Sequence, residues 1–338
     1  MSDKEILIGK LKEWGTRKVL VLADSNVAAL YPHYFEFLSE VFECQMMEIP
    51  AGEDSKNLDQ ITLIWEQMLA FGMDRSDALI SFGGGTTCDL GGFAAATFKR
   101  GVRAVNCPTT LLAMIDAAHG GKTAVNFHHV KNCIGVVRQP DFVMPANPEF
   151  LKTLPMAELK SGFGEMIKYA LIASPELFGQ LGALEVLTAE AIKSEWIQTC
   201  VQIKDDVVNI DPNDLKERHV LNFGHTFGHA IESCYLSKGQ FITHGEAVAV
   251  GMVYESRLAE RLTRLSHPQF LQIQNLILKY FNIPELSEEW LNQLLPFLKQ
   301  DKKNSQDRIN FTLLEEIGKP IIDVFIPKES LIKELSIC

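Results

Sequence analysis

The first half of the chain alternates two patterns of apolar and polar positions. Short apolar runs recur at Lys18–Ala23 (KVLVLA), Cys44–Ile49, Ala78–Phe82 and Arg103–Cys107. Between them lie stretches with apolar residues at helical spacing, of which Leu58–Phe71 is the clearest. Short apolar runs bounded by turn residues predict buried strands, and a 3.6-residue period predicts amphipathic helices. Asp24 and Ser25 follow the first run, and both are favoured helix N-caps. Strands alternating with helices predict a parallel sheet with crossover helices. Ligands of such sheets sit beyond the carboxyl ends of the strands, which is where Gly83, Gly84, Gly85 and Pro108-Thr109-Thr110 would lie.

After about Pro148 the pattern changes. Helical periodicity dominates over Met156–Ala173, Ala189–Val208, His225–Cys234 and His244–Leu262. Two late β-like pieces stand at Ile309–Leu314 and Ile321–Phe325. The expected organisation is an α/β domain over residues 1–147 and a mainly α-helical domain over residues 148–338, with no Gly/Ser-rich linker between them.

Composition narrows the function classes. The 338 residues are 46% hydrophobic and 22% charged, as in ordinary globular proteins. A net charge of −11 argues against a nucleic-acid partner. It leaves room for an anionic ligand, because clustered lysines and arginines can reverse the field locally. The seven cysteines are scattered with no CxxC pair, which points to a reducing, cytoplasmic setting. The N-terminal MSDKEILIGKLKEWG lacks the apolar run of a signal peptide. No stretch is apolar and long enough to span a membrane.

Four constellations carry chemistry. In SFGGGTTCDLGGF (81–93), a glycine run after a strand lets a phosphate approach the backbone, and the next helix offers its first amides to it. A plain tight turn explains the same glycines equally well. In PTTLLAMIDAAHGGKTAVN (108–126), Lys122 beside two glycines resembles an anion cradle, although a solvated loop lysine has the same signature. In SGFGEMIKYALI (161–172), Glu165 and Lys168 share one helix face, as an ordinary ion pair would. The fourth is the most specific. Four of the nine histidines fall within residues 219–244, in RHVLNFGHTFGHAIES and THGEAVAVGM. His225 and His229 share a helix face, and His244 opens a further helical pattern. Two histidines and a carboxylate with open positions make a catalytic metal site. The alternative is a set of satisfied core histidines. The HExxH signature of zinc proteases is absent.

Taken in order from about Val19 to Gly318, these motifs resemble the 3-dehydroquinate synthase family of the sugar phosphate cyclase superfamily. The resemblance implies a Rossmann-like NAD-binding N-terminal domain and a helical metal-binding C-terminal domain. It implies Glu165, His225 and His244 as ligands of Zn2+ or Co2+. It places Asp24, Asn26, Glu53, Lys56, Gly84, Gly85, Asp89, Thr109, Thr110, Lys122 and Lys131 at NAD. Asp116, Lys122, Asn132, Lys168, Lys204, Arg218, Asn222, His229 and the Lys302-Lys303 pair match catalytic or substrate-contacting positions. Arg100 matches an arginine lent by a neighbouring subunit, which implies a homodimer. The implied reaction converts 3-deoxy-D-arabino-heptulosonate 7-phosphate to 3-dehydroquinate and phosphate, by transient oxidation, phosphate elimination, re-reduction and intramolecular aldol closure. The rival readings are another sugar phosphate cyclase, a metal-dependent polyol dehydrogenase, and a non-catalytic NAD-binding protein.

Overall fold

The computed structural model describes residues 2–128, 130–285, 287–298 and 308–336. The chain forms two compact units, Met1–Thr153 and Leu154–Cys338.

The first unit runs α1 (Asp3–Glu13), β1 (Lys18–Asp24), α2 (Ser25–Leu30), β2 (Glu43–Ile49), α3 (Leu58–Ala70), β3 (Ala78–Gly83), α4 (Gly85–Thr97), β4 (Arg103–Pro108), β5 (Lys122–Phe127), β6 (Val130–Val137) and β7 (Phe142–Val143). Five strands form one sheet in the order β2-β1-β3-β4-β7, and every pairing is parallel. β1 and β3 lie inside it with both faces covered, which is why they read as unbroken apolar runs. β2 is an edge strand and exposes Glu43, Gln45 and Glu48. Ile61, Ile64 and Met68 of α3 and Leu90 and Ala94 of α4 share one core with Leu20, Leu22 and Leu79 of the sheet. Phe82 anchors an aromatic cluster, with the Tyr34 ring stacked at 5.0 Å and Phe35 and Phe150 edge-on at 5.0 and 5.6 Å. β5 and β6 pair as an antiparallel hairpin outside the main sheet. The sequence pattern did not predict this hairpin, and Lys122 opens its first strand instead of sitting in a loop.

The second unit runs α5 (Met156–Ala173), α6 (Pro175–Ala183), α7 (Ser194–Ile210), α8 (His225–Ser237), α9 (His244–Leu262), α10 (His267–Leu278), α11 (Glu288–Leu298), β8 (Arg308–Glu316), β9 (Lys319–Pro327) and α12 (Lys328–Ser336). One expected boundary moves. Helical periodicity from Ala189 predicts a helix there, but α7 starts at Ser194. Residues 188–191 form a turn instead, in which the Thr188 carbonyl and hydroxyl both accept the Ala191 amide. A threonine that bonds its local backbone competes with helix.

α9 packs against α5 and α8, and glycine makes both contacts possible. A Cβ on Gly245 would lie 1.8 Å from the Ser161 carbonyl oxygen of α5, and one on Gly164 would lie 2.3 Å from the Gly245 carbonyl oxygen. At the other crossing, a Cβ on Gly251 would lie 2.0 Å from the Gly224 carbonyl oxygen. Backbone cannot yield as a side chain can, so these positions have no room for alanine. We expect Gly245→Ala to destabilise the fold by about 1–3 kcal/mol or more, read from denaturant midpoints. Gly179→Ala, in α6 with nothing within 4 Å of the added methyl, should instead stabilise by about 0.5–1 kcal/mol. Equal effects at the two sites would contradict close helix packing as the reason for Gly245.

Candidate metal centre and cofactor-binding edge

Three helices each contribute one ligand-type residue to a single point. Glu165 lies within α5 and is fully buried; His225 is the first residue of α8 and His244 the first of α9. Glu165 Oε1 is 3.5 Å from His225 Nε2 and 3.2 Å from His244 Nε2. One ligand atom from each of the three lies within 4.8 Å of the others. The rings are aimed by contacts at their far nitrogens. His225 Nδ1 is 3.2 Å from the Phe223 carbonyl oxygen, and His244 Nδ1 is 3.1 Å from Glu232 Oε2. With Nδ1 paired to oxygen, each Nε2 faces Glu165, where it can hold a proton or, once a cation displaces that proton, present a lone pair to it.

The charge balance fits a cation. Both Glu165 oxygens are buried and accept no hydrogen bond of good geometry, although Lys168 Nζ approaches to 2.6 Å. Burial works against the Glu165 charge, but Lys168 and the two imidazoles hold the carboxyl well below its usual range. Burial and the nearby Lys168 push His225 well below its ordinary value despite Glu165, so its imidazole is neutral. His244 also loses solvation, yet its contacts to Glu165 and Glu232 raise it to about 10. An anionic carboxylate and two imidazoles form a donor set for Zn2+ or Co2+ with coordination positions to spare. The side chains of His225 and His244 are 14% and 33% exposed, so the point is reachable from solvent. His229, Glu232 and His244 form a second cluster of metal-ligand type. Its carboxylate is already engaged by His244 Nδ1, so the unsatisfied Glu165 favours the first cluster.

Groups suited to an anionic substrate surround these helices in sequence. His229 lies one turn after His225 on α8, exposed, with its ring 5.4 Å from that of His225. Lys168 on α5, Lys204 on α7 and Arg218 in the 3-10 turn Glu217–Asn222 are all buried. The three elements that carry them pack against one another. Asn222 ends that turn. Buried Asp211 shapes the segment before it by accepting the amides of Leu215, Lys216 and Arg218 at 3.0, 2.8 and 3.2 Å. These hydrogen bonds outweigh its burial and hold its carboxyl at about 2.

In the first unit, the residues matched to NAD gather at the carboxyl edge of the sheet. Asp24 ends β1 and caps α2, with Oδ1 accepting the amides of Asn26 and Val27 at 3.1 Å. Gly84 and Gly85 open α4, whose N-terminus has no side-chain cap. Thr109 and Thr110 follow β4, beside Gly83. Lys56 is buried and pairs with Asp89 and with Asn132 Oδ1, both at 2.5 Å. Asn126 Nδ2 donates to Glu53 Oε1 at 2.9 Å, and the Asn132 amide donates to Asn126 Oδ1 at 2.9 Å. These contacts tie Glu53, Lys56, Asp89 and Asn132 into one network, which Thr86 joins by donating to Glu53 Oε2 at 3.1 Å. Asp116 lies in a π-helical turn, Lys131 precedes Asn132 in β6, and Arg100 is exposed with φ +64. Lys302 and Lys303 lie outside the described residues.

Sequence reading missed Glu232. It lies three residues after His229 and seven after His225, so it shares their helix face. That spacing was the available signal. We expect Glu232→Ala to fold but to bind Zn2+ about 10–100-fold more weakly, measured by chelator competition. Unchanged affinity would remove Glu232 from the centre. Asp211 has a folded value near 2 against an ordinary 3.8. Its contribution is therefore present above about pH 4 and lost as pH falls through about 2. Asp211→Asn should remove this acid-limb stabilisation and speed amide exchange at 215–218; an unaltered exchange pattern would contradict its anchoring role.

The chain matches the N-terminal 3-dehydroquinate synthase profile over residues 46–161 and the C-terminal one over residues 162–304. It is 36% identical over 321 residues to the 3-dehydroquinate synthase of Clostridium tetani, covering 94% of this chain and 85% of that protein. Similar solved structures include two with NAD+ and a metal bound. The first is a 2-deoxy-scyllo-inosose synthase complexed with carbaglucose-6-phosphate, NAD+ and Co2+ (TM-score 0.83, 28% identity, covering 95% and 90% of the two chains). The second is the 2-epi-5-epi-valiolone synthase of Streptomyces hygroscopicus with NAD+ and Zn2+ (0.82, 26%, again 95% and 90%). Sequence, fold and the convergence of Glu165, His225 and His244 lead to one conclusion: the chain belongs to the 3-dehydroquinate synthase family.

Proposed function

We propose that the protein converts 3-deoxy-D-arabino-heptulosonate 7-phosphate to 3-dehydroquinate and phosphate, using NAD without net consumption and a divalent cation. The observation that carries this reading is the buried, unsatisfied Glu165 carboxylate facing two imidazole Nε2 atoms, in a chain of this family. When bound, NAD supplies a reversible hydride acceptor, and Zn2+ or Co2+ bound by Glu165, His225 and His244 supplies Lewis-acid polarisation of a substrate hydroxyl.

The chain's own residues bind and orient. The substrate carries a carboxylate and a phosphate, and Lys168, Lys204 and Arg218 offer buried positive charge to match. Arg218 suits planar, bidentate carboxylate recognition, and the lysines act as point charges. Asn222, Lys122, Asn132 and Asp116 add polar contacts, and the Lys302-Lys303 pair adds charge. His229, beside the ligand ring of His225, holds or moves a proton at its imidazole. In the first unit, the uncapped start of α4 offers its amides to the cofactor's pyrophosphate, with Asp24, Asn26, Glu53, Lys56, Asp89, Thr109, Thr110 and Lys131 around it. We further infer a cytoplasmic homodimer in which exposed Arg100 reaches the neighbouring subunit's site. No described helix is long and apolar enough to cross a membrane.

A second reading is favoured by likeness to the inosose and valiolone synthases: a cyclase for another sugar phosphate. Phosphate release from the heptulosonate and from sedoheptulose 7-phosphate separates the two. We expect release from the heptulosonate alone, with no accumulation of NADH absorbance. Turnover of sedoheptulose 7-phosphate alone would select the second reading, and net NADH would indicate a polyol dehydrogenase. Dialysis against a strong chelator should abolish turnover, Zn2+ or Co2+ should restore it, and Glu165→Ala should resist restoration. A metal-free, active Glu165→Ala protein would overturn the assignment.

A further inference from the structure

The first turn of α8 has an unusual cap. Helix starts leave backbone N–H groups without intrahelical partners. A capping box serves two of them, at the N-cap and at N3, with side chains from those same two residues. In α8 the N-cap is Gly224, at φ +81, and N3 is Phe227. Neither can serve the other, and both are buried. A single carboxylate from another helix performs both tasks. Glu255, within α9 and fully buried, accepts the Gly224 amide on Oε2 at 2.6 Å and the Phe227 amide on Oε1 at 3.2 Å. The positive end of the α8 dipole favours a carboxylate there, which accounts for an acidic residue in an apolar interior.

The two amides flank His225, and His229 follows one turn later. We propose that Glu255 is a positioning residue for the metal centre: by clamping the first turn of α8 from α9, it fixes where His225 and His229 project. Glu255 and His244 lie about three turns apart on α9. One helix therefore carries one ligand itself and sets the direction of another through the clamp. The close approach of Gly251 to the Gly224 carbonyl holds the same turn sterically, and Glu255 supplies the polar half of the constraint.

The proposal rests on Glu165, His225 and His244 binding a cation, and the test separates the two claims. The full-length chain and its E255Q variant are titrated with Co2+, recording affinity and the visible absorption bands, which report ligand geometry directly. Glutamine keeps the shape but sets an NH2 group against one of the two amides. We expect E255Q to unfold cooperatively, to bind Co2+ about 10–100-fold more weakly and to show shifted bands. E255D, which keeps the charge, should recover part of the loss. Wild-type affinity and bands in E255Q would leave Glu255 a helix cap only and overturn the proposal. Global loss of fold in E255Q would assign it to stability and overturn it equally. A wild-type chain that binds no Co2+ would remove the metal centre itself, and with it any role for Glu255 there.

Discussion

The close approach of α5, α8 and α9 is the constraint on which the second unit depends. Helices normally keep their axes 8–10 Å apart, according to the side chains between them. Glycines at 164, 245, 224 and 251 let backbone meet backbone. Each candidate ligand is the chain neighbour of one of these glycines: Gly164 precedes Glu165, Gly224 precedes His225, and Gly245 follows His244. The short side chains of Glu and His can therefore converge from three separate helices without long reach or loop support. The same contact that packs the unit sets the geometry of the site, so fold and centre cannot be adjusted independently.

The first unit solves a different problem. Its parallel sheet ends three strands beside one another, bringing Asp24, the Gly84-Gly85 start of α4 and Thr109-Thr110 to one edge. Glu53, Lys56, Asp89, Asn126 and Asn132 then satisfy one another across the segment after β2, α4 and the β5–β6 hairpin. A buried lysine is costly without partners. Here Asp89 and Asn132 supply them, so a cation can be held at a defined place in an acidic chain.

Much of this was legible in the sequence, for physical reasons that differ by element. β1, β3 and β4 are covered on both faces, so their apolar runs needed little context. α5 and α9 carried clear periodicity, and the histidine spacing in α8 placed two rings on one face. The β5–β6 hairpin was not legible, because its strands are half-exposed and interrupted by polar residues such as Asn126 and Lys131. The start of α7 was misplaced because Thr188 turns the chain locally, and a helical period cannot register that. Glu255 was invisible for a deeper reason. In sequence it is one acidic residue on a long helix; its partners are two backbone amides about thirty residues earlier, and backbone amides leave no mark on a residue pattern.

Exposure across the candidate ligand set is graded: His244 is a third exposed, His225 less so, and Glu165 is sealed. The three side chains thus make a centre that is open at its rim, at His244, and closed at its base, at Glu165. A cation held there would face solvent only past the imidazoles, and the carboxylate that balances its charge would stay out of water's reach.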